Sequence, residues 1–308
     1  LRRSSALRPG YMPEQAPPPT ETSAFEQRHA TWAMLHDRFG PARSYPFAWR
    51  LPELARDQGR HARLRAALAL GQTLYAMGRF REALASLPDA GTLSHADEYQ
   101  PGEYQPDENE LAADLLDLHA RCLWLQDETA DAPPLAEAAR SARPRTLHRL
   151  RARVSMLCLT DAAEAALTLG ADYRNAARVA ESVPDQAWAA LFLHWARARL
   201  GRDDDPAPAH AALALLRGIA PVDAARAQAL HAEAAFHVSP AWALTWLDEA
   251  LEQIERHGQH HLKARLLELK ARALEANGLL GASSRFLELA RETARRQGAW
   301  RYLHRMAV

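Results

Sequence analysis

The sequence predicts an all-α fold, and three observations predict it. Apolar residues recur at helical spacing through most of the chain. Ile219 and Ile254 are the only isoleucines and valines are sparse, so the β-branched side chains that suit a pleated sheet are missing. The prolines beyond residue 40 fall where the periodicity breaks, and Gly71 is the one clear mid-helix glycine among fourteen. Periodicity and breakers therefore agree on the same boundaries.

In order along the chain, residues 1–22 hold Pro9, Pro13, Pro17, Pro18 and Pro19 with little apolar material, which predicts a disordered arm. Residues 23–60 read as an N-terminal helix and an aromatic, proline-bearing lid. Ser23 and Glu26 form a capping box that opens the helix. It runs to about Arg38 with Phe25, Trp32, Leu35 and Phe39 as its buried stripe, and Gly40-Pro41 ends it. Tyr45, Phe47 and Trp49, set among Pro41, Pro46 and Pro52, are too aromatic for a free linker and too proline-broken for a long helix.

Residues 61–308 carry the helical pattern, interrupted by an acidic loop insertion at 89–109. Leu64–Pro88 reads as two amphipathic helices, with Leu70, Leu74 and Met77 on one face of the first, Ala83 and Leu87 on the second, and a turn at Gly78-Arg79. A mid-helix glycine costs roughly 1 kcal/mol relative to alanine, so Gly71 predicts a second helix pressed close against it. The 89–109 insertion repeats Glu-Tyr-Gln-Pro at 98–101 and 103–106, which reads as a duplication in a tolerant exposed loop rather than a binding strap. Leu111, Leu115, Leu118, Cys122 and Leu125 then stripe a helix from about Glu108 to Gln126, and a shorter helix follows Pro133-Pro134. Thr146 to Leu169 reads as one long helix, paired through Gly170-Ala171-Asp172 with Tyr173 to Val183. Asp185–Leu200 pairs with Ala207–Arg217, Pro221 and Pro240 bracket another pair, and Leu262–Asn277 pairs with Leu279–Gln297 across Asn277-Gly278. Trp300, Tyr302 and Leu303 are placed to cap the open end of the stack.

Composition narrows the function classes. Of 308 residues, 48% are hydrophobic and 25% charged, an ordinary globular balance. Acidic and basic residues number 38 each, so no global field draws nucleic acid or an anionic membrane, and neither is expected as a partner. Lys263 and Lys270 are the only lysines; with the abundant alanine, the arginine excess reads as compositional bias rather than phosphate recognition. Cys122 and Cys158 are too few and too far apart for a disulfide framework or zinc site. No apolar run is long enough to span a bilayer, and Arg2-Arg3 is not followed by the apolar core of a secretory signal. A cytoplasmic location is the expectation. The chain begins with Leu1 rather than Met, which leaves a preceding domain open.

Leu70-Gly71, Leu74, Gly78, Phe80, Ala83 and Leu87 stand at the spacing of the tetratricopeptide repeat (TPR), with Ala67 where that family usually has Trp. The stretch resembles that family. Ala176, Ala209 and Ala243, 33 and then 34 residues apart, keep close to its repeat length of about 34, and Ser283 follows forty residues on. The looser half resembles the helical-repeat arms of bacterial transcription regulators. The resemblance implies a right-handed α-solenoid of TPR-like antiparallel hairpins whose concave groove is lined by first helices. It implies a non-enzymatic scaffold or adaptor holding a partner peptide or helix. The alternative it implies is a sensory or regulatory arm, of a transcription regulator or signalling ATPase, that binds a peptide or small effector. A homo-oligomer is compatible with either.

Carried onto this sequence, the inner-face positions are Arg65, Gln72 and Tyr75 in the first repeat and Arg265, Glu268, Arg272 and Glu275 in the last. Trp188 and Trp195 lie at i, i+7 with His194 adjacent, and are either core or groove anchors, since eight tryptophans in a helical stack must mostly be buried. Facing the groove they would anchor a ligand, with Arg65 and Arg272 as carboxylate clamps.

Catalytic signatures are few. GxxxxGK[ST], GxSxG and HExxH are missing, and His231-Ala-Glu233 opens a deaminase pattern that no Pro-Cys-x-x-Cys completes. His257, His260 and His261 sit at an interhelical turn and read as solvated or capping side chains rather than metal ligands. Glu110, Asp114 and Asp117 read as a solvated helix face. Asp203–Asp205 is an acidic turn near a helix start, where negative charge suits the dipole. No enzyme activity, cofactor or metal is expected.

Overall fold

A computed structural model describes residues 23–94, 106–128, 146–202 and 205–307, and among them every regular element is helical, with no strand. The expected arm at 1–22, the duplicated Glu-Tyr-Gln-Pro segment up to Gln105, the helix after Pro133-Pro134 and Asp203-Asp204 lie outside the described residues.

Helix α1 (Ala24–Phe39) starts at the capping box, where Ser23 Oγ accepts from the Glu26 N–H at 3.2 Å, and stops at Gly40 with φ 86°. Phe25 and Trp32 are buried, and Trp32 Nε1–H donates to Thr73 Oγ1 at 2.9 Å. Phe39, expected in the same stripe, is 42% exposed. It is the last helical residue before the chain turns, and the Arg43 guanidinium covers its ring at 5.1 Å. The proline-bearing segment folds as α2 (Pro41–Ala48) and α3 (Leu51–Ala55), both packed on α4 (Gly59–Ala76). Pro46 lies inside α2 and not at a boundary, because in so short a helix a missing N–H removes a single ladder bond.

Helix α5 (Phe80–Ser86) returns along α4. A Cβ on Gly71 would stand 2.7 Å from Leu87 Cδ2 and 2.9 Å from Leu118 Cδ2, so the glycine admits both neighbours. Gly170, Gly218 and Gly281 also lie within helices, so Gly71 is not alone in that position. After α6 (Ala90–Ser94), α7 (Pro106–Leu125) buries Leu115, Leu118, Cys122 and Leu125 as the periodicity predicts.

The expected long helix from Thr146 to Leu169 is two helices, α8 (Leu147–Leu159) and α9 (Ala163–Val179). The turn falls at Asp161, φ 63°, whereas Gly170 is a mid-helix contact whose Cβ would meet Leu193 Cδ2 at 3.2 Å. The repeat register shifts accordingly. Ala176 belongs to the last turn of α9 and is not equivalent to Ala209 and Ala243, which are buried early in their helices. The chain continues as α10 (Val183–Arg199), α11 (Ala207–Ile219), α12 (Pro221–Val238), α13 (Pro240–Arg256), a 3₁₀ turn (His260–Leu262), α14 (Lys263–Ala276), α15 (Leu280–Gln297) and α16 (Trp300–Ala307).

One device ends eight of these helices. The carbonyls of Leu74, Leu123, Leu157, Ala177, Arg197, Ile254, Leu274 and Ala294 each accept from the N–H five residues on, with a left-handed residue just before the donor. That residue is Gly78, Gly201, Gly258, Gly278 or Gly298 in five cases, and Asp127, Asp161 or Glu181 in three. Tight reversals of this kind let α9 pack on α10 and α14 on α15; α12 packs on α13 through the extended Ser239 instead, and α10 also packs on α12.

The two ends of the described chain meet. Helix α1 packs against α12, and α4 touches the 3₁₀ turn. Gly40 lies against His257, where a Cβ would come within 2.0 Å of the carbonyl oxygen, and Gly78 lies against Gln297. The Tyr75 and His261 rings are 4.9 Å apart. Arg301 Nη1 and His304 Nδ1 reach Asp127 at 3.0 and 2.6 Å, and Tyr302 packs edge-on against Trp124 at 6.4 Å. Tyr302, expected to cap an open end, is buried in this junction because α16 docks on α7.

Candidate functional site

A cavity of about 1030 Å³ lies between the inward faces of α1, α4, α7, α8, α10, α12, α14 and α16. Aromatic walls are supplied by Tyr75, Trp188, Phe192 and Tyr302. Aliphatic residues such as Leu118, Leu159, Val222 and Leu230 complete the apolar lining, and most of the charged lining groups pair within the cavity wall. On α7, Asp117 accepts from Arg121 Nε at 2.6 Å, and Arg121 spends its other nitrogens on Ser155 Oγ at 3.2 Å and the Ala152 carbonyl at 2.7 Å. Asp114 faces His148 at 3.1 Å. The Asp114 and Asp117 row, expected to face solvent, therefore faces the interior, because α8 crosses it.

Asp223, in the first turn of α12, is shared. It accepts from Arg151 Nη2 at 2.7 Å, from Arg226 Nη1 at 3.4 Å and from Trp188 Nε1 at 3.4 Å. Burial works against its charge, but Arg151 and Arg226 prevail and hold its carboxyl below the ordinary aspartate value. Arg151 also lies over the Trp188 ring at 4.5 Å, and Arg226 donates Nε–H to Gln259 at 2.9 Å. Asp37, exposed in the last turn of α1, borders the cavity where it opens to solvent, and partial burial and then Asp223 raise its carboxyl.

At the far wall Arg265 bridges Glu233 at 2.6 Å and Glu268 at 3.2 Å, and Arg305 also grips Glu268 at 3.1 Å. Burial raises the Glu268 carboxyl above its ordinary value despite these guanidiniums. Asp161, Arg265 and Arg305 also line an adjoining recess of about 300 Å³ with Arg199, His237 and Arg272.

The structure places the sequence-predicted site residues in different settings. Gln72, Tyr75, Trp188 and Arg265 line the cavity together. Arg65 does not; it donates to Glu26 at 2.7 Å and lies over Phe25, because α1 covers that face of α4. Trp195 is fully buried among Ala163, Ala166 and Ala234, and His194 is buried with its ring stacked on His231 at 5.2 Å, so both are core. Trp188 is core and cavity wall at once, 5% exposed. Glu268 is a buried partner of Arg265, Arg272 opens on the recess, and Glu275 is exposed.

His257, His260 and His261 do not converge. His261 is no solvated turn residue, since its ring packs on Tyr75 and burial pushes it down to about 3. Among the described residues no group of three or more His, Cys, Asp or Glu is placed to hold a metal ion. Asp37, Asp223, Arg121, Arg151, Arg226 and Glu233 escape sequence reasoning as site residues. The readable signals are the i, i+4 pair Asp117 and Arg121 and the i, i+3 pair Asp223 and Arg226. Comparison of the chain with protein-family models and with curated proteins finds no match.

Proposed function

We propose that this chain is a non-enzymatic ligand-binding module, a right-handed α-solenoid of TPR-like hairpins wrapped around a cavity that takes a short peptide or small effector. The observation that carries the reading is a cavity of about 1030 Å³ that opens to solvent beside the exposed Phe39 and Ile219 and has aromatic walls and inward-facing charges. Ligand pockets of drug-sized molecules run to roughly 300–1,000 Å³, whereas a partner helix with its side chains is ~10–12 Å across and needs an open groove. The size favours a sensory or regulatory arm over an adaptor holding a partner helix. Pairing of most lining carboxylates with guanidiniums supports recognition rather than catalysis. The free thiols of Cys122 and Cys158, both pushed up by burial, fit a reducing, cytoplasmic setting. No described helix is long and apolar enough to cross a membrane.

The test is ligand retention. The purified protein is incubated with a low-molecular-weight cell extract, desalted and denatured, and the released compounds are identified by mass spectrometry. Ala152 lines the cavity, so Ala152→Trp fills it and abolishes retention. Equal retention by both proteins, or none by the wild type, refutes the reading.

A further inference from the structure

We propose that the cavity binds a short peptide by its two charged ends, with the carboxylate on Arg151 and Arg226 and the ammonium on Asp37; this rests on the ligand-cavity reading above. All three side-chain nitrogens of Arg121 have protein partners. Arg265 and Arg305 are committed to Glu233 and Glu268. Arg151 and Arg226 differ, because two guanidiniums share the single carboxylate of Asp223.

Their bonding leaves donors over. Arg151 gives Nη2 to Asp223, while Arg226 gives Nε to Gln259 and a long contact from Nη1 to Asp223. Both residues line the cavity, and Arg151 lies over the face of Trp188. An incoming carboxylate completes an alternating set of two guanidiniums and two carboxylates, and charge-assisted bonds of this kind are the strong ones.

Asp37 is the complementary case. It makes no hydrogen bond or ion pair with any described residue, although Arg151, Arg226 and Asp223 all act on it through space. It also sits in the last turn of α1, where the helix dipole is negative and a carboxylate is disfavoured. A ligand ammonium relieves both conditions. A cavity of this volume is on the order of 10 Å across, about three extended residues. Tyr75, Phe192 and Tyr302 supply apolar walls for side chains between the two ends.

The experiment uses the whole chain and an equimolar tripeptide pool varied at its central residue, prepared with free ends, N-acetylated, C-amidated and doubly capped. Binding is read by calorimetry and thermal shift at low salt. Free-ended peptides bind, and each single cap lowers affinity by about tenfold or more. Asp37→Asn removes the penalty for N-acetylation, and Arg151→Gln removes the penalty for amidation, each leaving the other penalty in place. Should a variant fail to fold, the capped pools on the wild-type protein still decide. Equal binding of free and capped pools overturns the two-ended assignment and leaves the cavity reading standing. No binding by any pool overturns the peptide assignment, while ligand retention from cell extract judges the cavity independently.

Discussion

Lowering the pH from about 7.5 to about 5 destabilises this fold by about 4 kcal/mol through two buried imidazoles, His36 and His231. They are 7% and 1% exposed, and each is pushed from 6.5 down to about 3. Burial is the main cause in both; Arg226 adds to it at His36, and His194, His210 and Arg217 add to it at His231. The unfolded chain takes up a proton at each site below 6.5, which the folded state refuses until about 3. Stability is therefore complete above 6.5 and falls as pH drops toward 3. At pH 5 the gap is about 1.5 units, or about 2 kcal/mol per site. His29 and His237, each down to about 4, and His261, down to about 3, act in the same direction with more solvent screening. His148 opposes them, raised by its bond to Asp114, but its side chain is 64% exposed. Asp127, Asp161 and Asp223, all held below 3.8, lose their contributions only at lower pH. Against a total of roughly 5–15 kcal/mol the loss is large. Urea unfolding across this pH range measures it. His231→Phe supplies the control, because neither ring nitrogen has a partner among the described residues and the ring packs on Trp246 at 4.5 Å. That variant keeps its stability near pH 7 and loses about 2 kcal/mol of the pH dependence. A flat stability profile, or an unchanged slope in His231→Phe, refutes the reasoning.

Four further predictions concern packing, turns and a buried ion-pair cluster. Gly71→Ala places a methyl between Leu87 and Leu118; overpacking of about 1–3 kcal/mol outweighs a helix-propensity gain of about 1 kcal/mol, so the melting temperature falls. Gly281→Ala, with no atom within 4 Å of its Cβ, raises it instead. Glu181→Gly relieves an exposed left-handed residue at φ 53°; removing about 1–2 kcal/mol of strain against about 0.5–1 kcal/mol of added chain entropy leaves a small net stabilisation in denaturant melts. Glu268→Ala leaves Arg265 with Glu233 as its one carboxylate partner and Arg305 without its partner beside a vacated buried site, which costs about 1–3 kcal/mol, read by the same melts.

Helix boundaries are legible in this sequence wherever glycine or proline marks them, as at Gly40, Gly78 and Gly278. The break between α8 and α9 is not, because Asp161 takes the left-handed turn position that glycine fills in five of the eight turns. Gly170 then misleads, since a glycine required for close approach to Leu193 looks in sequence like one required for a turn. The cavity-facing positions of Gln72 and Tyr75 on α4 are legible because their periodicity is local. Arg65 is misplaced because the helix that covers it, α1, precedes α4 in the chain. Asp114, Asp117 and Arg226 look like residues of a solvated face because a polar helix stripe has the same pattern whether it borders solvent or an interior cavity. What separates the two is the meeting of Asp127 with Arg301 and His304, 174 and 177 positions away, which no local pattern encodes.

That meeting also governs how the molecule comes apart. An open array of helical repeats melts nearly one unit at a time, since each unit leans only on its neighbours. Here Gly40 rests on His257, Tyr75 on His261 and Asp127 on Arg301, so the first units are neighbours of the last. Fraying at either end must break contacts held by the other. Unfolding is accordingly a single concerted transition, and folding must wait on a junction of very high sequence separation, which slows it relative to an open stack of the same helices.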